Sequence, residues 1–90
     1  MALEWDFKDP DEVLDYRVDW SARLDGDTIA SSTWEVLAGL TKDSDTSGAD
    51  DTTIWLSGGT LGDNYTLVNR VTTAGGRTFD QSVKLKVRTR

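Results

Sequence analysis

The stretch Asn64–Arg88, "NYTLVNRVTTAGGRTFDQSVKLKVR", decides the fold. In its second half Phe79, Gln81, Val83, Leu85 and Val87 alternate with Asp80, Ser82, Lys84, Lys86 and Arg88. A period of two puts the first set on one face of a strand and the second in water. In its first half Tyr65, Leu67, Asn69 and Val71 fall on one side. Between the halves, Gly75 and Gly76 can take the positive φ angles of a tight turn. The stretch predicts a two-stranded hairpin.

Working outward, the same period recurs. "TTIWLSGG" predicts a shorter strand with Ile54 and Leu56 on one face and Trp55 on the other. "TIASSTWEV" is β-branched and carries Trp34, so a strand is expected there too. In "LDYRVDWSARL", Leu14, Tyr16, Val18 and Trp20 face one way and Asp15, Arg17 and Asp19 the other. Asp25–Asp27, "DGD", reads as the turn between these two strands. No stretch has a helical period, and Gly39 interrupts the one short candidate, "EVLAGLTK". An all-β fold is expected, a small antiparallel sandwich of immunoglobulin or fibronectin type III kind. Trp34 in mid-strand and Tyr65 opening the penultimate strand, where such folds place a tyrosine corner, sharpen that expectation.

Ninety residues suit one domain, 1–90, with 1–12 as an extended N-terminal arm. There is no cysteine and no histidine, which excludes disulfides, thiolate or imidazole metal ligands, and the Ser-His-Asp and Cys-His nucleophile systems. No apolar run is long enough to span a membrane, and "MALEWDFKDP" lacks the parts of a signal peptide, so synthesis in the cytoplasm is expected. Acids outnumber bases 16 to 10, for a net charge of −6, which argues against a nucleic-acid surface. The imbalance is uneven: residues 1–45 carry −8 and residues 46–90 carry +2.

Two acidic runs test for chemistry. "DSDTSGADD", Asp43–Asp51, opens like a calcium loop, but the twelfth place falls on Ile54, which cannot supply the bidentate carboxylate. It reads instead as a solvated connection between strands. "KDPDEVLD" reads as a turn entering the strand at Leu14, with no pocket to raise a carboxyl pKa for acid–base work. "SGGTLGDN" lacks the Gly-Lys-Ser/Thr ending of a phosphate loop. No catalytic, metal or cofactor-binding residues are expected, and the chain does not read as an enzyme.

What remains is surface for a partner. In the arm, Leu3, Trp5 and Phe7 alternate with Glu4, Asp6 and Lys8. This segment is either the first strand of its own domain or a strand added to a neighbour's edge, with Trp5 and Phe7 as anchors. Trp55 either packs under the arm or marks a contact, because Ile54 and Leu56 claim the core face. Arg70, Lys84, Lys86 and Arg88 are expected on the outer face of the final hairpin, and Asp15 and Asp19 on the outer face of the front strand. Complementary patches on one chain favour head-to-tail homo-oligomers.

Two segments, "KDPDEVLDYRVDWSARLDGDTIASSTWEV" and "TTIWLSGGTLGDNYTLVNRVTTAGGRTFDQSVKLKVR", carry a family resemblance from about Phe7 to Arg88. The chain resembles small structural proteins of tailed bacteriophages that are described as fiber–tail adaptors. The resemblance implies a non-enzymatic virion component contacting other phage structural proteins at the tail, neck, fiber or capsid. Capsid decoration (cementing shell subunits) and glycan binding through an exposed tryptophan are the competing readings.

Overall fold

A computed structural model describes residues 3–5, 7–36 and 38–88. In chain order the described residues form β1 (Leu3–Glu4), β2 (Leu14–Asp19), a helical turn α1 (Ser21–Leu24), β3 (Ile29–Glu35), β4 (Leu40–Ser47), β5 (Asp51–Gly58), β6 (Asn64–Thr73) and β7 (Thr78–Lys86). The strands make two sheets, one ordered β1-β7-β6-β3 and the other β2-β5-β4. All pairings are antiparallel except β1 with β7, which is parallel and departs from the fully antiparallel expectation. The fold is an all-β sandwich.

The alternation read in the final hairpin sets the core. Leu67, Val71, Val83, Leu85 and Val87 are fully buried, as are Ile54 and Leu56 from the opposing sheet. Each such side chain contributes roughly 1.5–3 kcal/mol relative to exposure. The buried residues divide into two clusters, one around Leu56, Leu67 and Leu85 and the other around Trp20, Leu24, Val71 and Val83. Trp5 and Trp34, both half-buried, pack against both clusters and join them. Trp5 stacks on Tyr16 at 4.6 Å between ring centroids, and its ring lies 5.9 Å from that of Trp34.

A polar seam crosses the sandwich between the sheets. Asn69 on β6 is fully buried. Its Oδ1 accepts from Trp20 Nε1 at 3.0 Å and from Thr52 Oγ1 at 2.7 Å, while its Nδ2 donates to Ser32 Oγ and the Thr33 carbonyl, both at 2.9 Å. All four hydrogen-bonding positions of the amide are used, so burial is tolerated.

The turns follow local chemistry. Between β6 and β7, Gly76 N–H donates to the Thr73 carbonyl at 3.0 Å and Gly76 itself sits at φ +88°, which makes a type I turn closed by a left-handed residue. Only Gly76 of the pair takes a positive φ. Asp27 pins this turn from outside: its Oδ1 accepts from Gly75 N–H at 3.0 Å and from Thr28 N–H at 2.9 Å. At the start of β6, Tyr65 is buried and its hydroxyl accepts from Thr60 N–H at 2.9 Å, tying the strand to the loop before it.

Three expectations are corrected. The arm alternates out of phase with its sequence pattern: Phe7 is 37% exposed and Lys8 is fully buried. Glu4 pairs with Lys84, but Lys8 pairs with Val87, so the arm carries one more residue than β7 between those pairs. A one-residue slip exchanges the two faces of a strand. The Lys8 ammonium donates to the Gly58 carbonyl at 2.7 Å and the Asp9 carbonyl at 2.9 Å. Burial pushes its pKa below the ordinary lysine value, against the upward pull of Glu12, Asp9, Asp11 and Asp43. Asp6 of the same pattern, and the side chain of Leu3, lie outside the described residues.

The aspartate run, expected as a connecting loop, is mostly strand. Asp43–Ser47 belongs to β4, and only Gly48, Ala49 and Asp50 turn into β5. Its one threonine and two serines suit an exposed edge strand as well as a loop, and the pairing with β5 decides the outcome. β4 has a register shift between Lys42 and Ser44, and a Lys42–Asp45 ion pair of 2.8 Å lies along it. A bulge and charges are devices that deter edge-to-edge pairing. The third correction is the short helix: "SARL" after β2 makes one helical turn, with Ser21 N–H bonded to Asp19 Oδ1 at 3.0 Å. One turn is too brief to leave a periodic signal.

Candidate functional site

Exposed apolar and charged side chains stand on both outer faces of the sandwich, and Leu61 is exposed in the loop between β5 and β6. On the β2-β5-β4 sheet, burial of Thr52, Ile54 and Leu56 forces Thr53 and Trp55 outward. Trp55 is 41% exposed, with Asp15 opposite it on β2 and Ser44 opposite it on β4. Val13, 56% exposed, immediately precedes β2. Trp55 does not pack under the arm, whose backbone pairs with β7 in the other sheet.

The carboxylates on this face divide by their partners. Asp51 holds Arg17 at 2.7 Å, which raises the arginine pKa further through that hydrogen bond and charge. Asp43 accepts from Ser57 Oγ at 3.0 Å. Asp19 is kept below the ordinary carboxyl range by the Ser21 N–H. Asp15, beside Trp55, is exposed. This face is acidic around an aromatic centre.

The outer face of the β7-β6-β3 strands is different. Arg70, one of the expected contact residues, is held across the strands by Asp80 through two bonds of 2.8 and 3.0 Å. The pair lowers the Asp80 pKa and raises that of Arg70. Arg88 donates to Asn64 Oδ1 at 3.1 Å and to the Val87 carbonyl at 2.8 Å. Lys86 reaches only a long contact with Glu4, 3.6 Å, between half-exposed side chains. Lys84 is exposed, between Thr66 on β6 and Glu4 on β1. Intramolecular pairing thus concentrates the available positive charge at Lys84 and Lys86.

Of the arm residues, Trp5 is engaged within its own sandwich, whereas Phe7 stands partly exposed. Sequence reading missed Lys8, because a lysine in an alternating arm is assigned to water by default. The only signal was the acidic turn that follows it. There Glu12 N–H donates to the Asp9 carbonyl, Asp9 N–H to Glu12 Oε1, and Asp11 N–H to Asp9 Oδ1. That turn accounts for the second acidic run.

No group of three or more carboxylates close enough to hold a metal ion occurs among the described residues. None of the described helices is long and apolar enough to cross a membrane. Among curated proteins, none matches the chain. Residues 8–86 match the family model described as podophage GP4 fiber-tail adaptor protein gp77, and the chain belongs to that family.

Proposed function

We propose, from membership of the podophage fiber–tail adaptor family, that this chain is a structural component of the virion that binds tail and fiber proteins and further copies of itself. The match over residues 8–86, nearly the whole sandwich, carries the reading. The physical features agree with it. Among the described residues the interior is mostly apolar, with a saturated polar seam at Asn69 and the buried Lys8, while both outer faces present exposed aromatic or charged side chains.

The sandwich is proposed to be of immunoglobulin type. The support is its strand order, with the second, fifth and fourth strands in one sheet and the third, sixth and seventh in the other, and the tyrosine hydroxyl bonded back to the preceding loop. In that scheme β1 runs alongside the last strand. The fold itself chooses no function, so the adaptor role rests on the family.

A reconstruction of the particle tests the role. The chain is expected between tail and fiber components, in a copy number matching the tail's symmetry. A position spread over the shell would instead make it a decoration protein. Binding to a glycan array that depends on Trp55 would make it a carbohydrate module.

A further inference from the structure

The two outer faces differ in sign and in shape, and both belong to the same chain. One has Trp55 at its centre, with Asp15 opposite it in register and the apolar Val13 exposed just before the same strand. The other has Lys84 and Lys86 two residues apart on β7, so both point outward from one face. Arg17, Arg70 and Arg88 have acidic or amide partners within their own sheets. What each face has left to offer a partner is therefore narrow: an indole ring with a carboxylate on one, and on the other the Lys84 ammonium with that of Lys86, whose one long, half-exposed contact is with Glu4 at 3.6 Å.

These offers fit each other. A lysine stem laid on an indole face covers apolar surface, and its ammonium gains from the ring quadrupole. A neighbouring carboxylate completes the contact. Like faces fit less well, since neither supplies the other half of this contact: two Trp55 faces bring together two indoles and no lysine stem, and two lysine faces bring no aromatic ring.

We infer that the partner of the Trp55–Asp15 face is the Lys84–Lys86 face of a second copy, packed head to tail. This contact deepens the self-association in the function proposed above and does not depend on which tail protein the assembly meets. Because the two contacting patches are different, each subunit keeps one of each open, and the arrangement grows until a rotation closes it into a ring. The two patches lie on opposite sheets of the sandwich, so neither blocks the other.

Sedimentation of the full chain over a concentration series up to about 1 mM tests the contact. Wild type is expected to pass beyond a dimer, with association weakened by raised salt. Two variants break one face each without reversing its charge: Asp15→Ser with Trp55→Ser, and Lys84→Ser with Lys86→Ser. Each alone is expected to weaken association at least about tenfold and sediment as monomer, while their mixture forms a 1:1 dimer and stops there, since one intact patch of each kind remains. The mixed dimer also proves both variants folded, and melting curves of each check this separately. A monomeric wild type overturns the inference while leaving binding to tail and fiber proteins to be read on its own. A wild-type oligomer whose two variants fail to combine, or in which one variant still dimerises alone, leaves self-association standing and overturns these faces.

Discussion

The N-terminal arm and the final hairpin carry the same alternating pattern and use it differently. In the hairpin each partner strand is long and the ladder is continuous over nine residue pairs, Asn64–Lys86 to Thr72–Thr78. Every residue is therefore held on the face its position assigns. Among the described residues of the arm, only Leu3 and Glu4 are paired in register before the slip, with an isolated bridge at Lys8 after it. With so few ladder bonds, the side chains' own preferences decide the phase. Trp5 finds an aromatic slot against Tyr16 and Trp34, and Lys8 finds two carbonyls. Alternation predicts a face only where pairing is extensive enough to enforce it.

The largest effect is expected in the hairpin, at the one polar residue its pattern places inside. Asn69→Leu removes the nearer acceptor of Trp20 Nε1, leaving it Thr52 Oγ1 at 3.3 Å, together with the acceptor of Thr52 Oγ1 and the donor to Ser32 Oγ and the Thr33 carbonyl. A loss of about 3 kcal/mol in urea unfolding is expected, since each buried group left unpaired costs about 1–3 kcal/mol. A loss below about 1 kcal/mol would mean that the seam is dispensable and the apolar pattern alone holds the two sheets in place.

In the arm, Trp5→Ala is expected to cost about 2 kcal/mol, less than a fully buried tryptophan because Trp5 is only partly buried. The same denaturation series reads it. A neutral result would return the arm to the class of segments available for a neighbour. Lys8 sharpens the contrast. Lys8→Met keeps the volume and removes the ammonium, and stability within about 1 kcal/mol of wild type is expected, because burying a charge offsets much of what its bonds supply. Lys8→Ala leaves both volume and the Gly58 carbonyl unfilled and is expected to be clearly worse than Met.

The smallest effect concerns acid. Asp27, which pins the hairpin turn, is held below the ordinary carboxyl value of 3.8 by hydrogen bonds from Thr73, Thr28 and Gly75. As pH falls, the unfolded chain takes up the proton first, so the stability from this group is complete above 3.8 and lost as pH drops through the lowered folded value. Asp19 and Asp80 act in the same direction. Melting temperature is expected to fall on going from pH 5 to pH 3 (on the order of the carboxyl range), and Asp27→Asn is expected to flatten part of that fall. An unchanged acid limb in the variant would show that the turn holds without the carboxylate.

Much of the candidate surface was legible in sequence. Trp55 had to face outward once Ile54 and Leu56 faced in, and the lysines of "VKLKVR" had to share a face. Which of the cations remain available was not legible, because Arg70 and Asp80 are ten residues apart and meet only when β6 and β7 pair in one register. The aspartate run misled for a related reason. Its composition suits a loop, but its neighbours on β5 offered backbone partners that no composition records.

By itself, the sequence determined which residues are inside wherever strands are long: a two-residue period is a property of the chain's own geometry and needs no partner to exist. Tertiary structure decided everything that depends on what lies opposite. It set the phase of the arm, the burial of Lys8, the saturation of Asn69 and the cross-strand pairing that ties up Arg70 while leaving Lys84 and Lys86 exposed. Hydrogen bonds and ion pairs join groups far apart in the chain, and only the folded register brings those groups within reach.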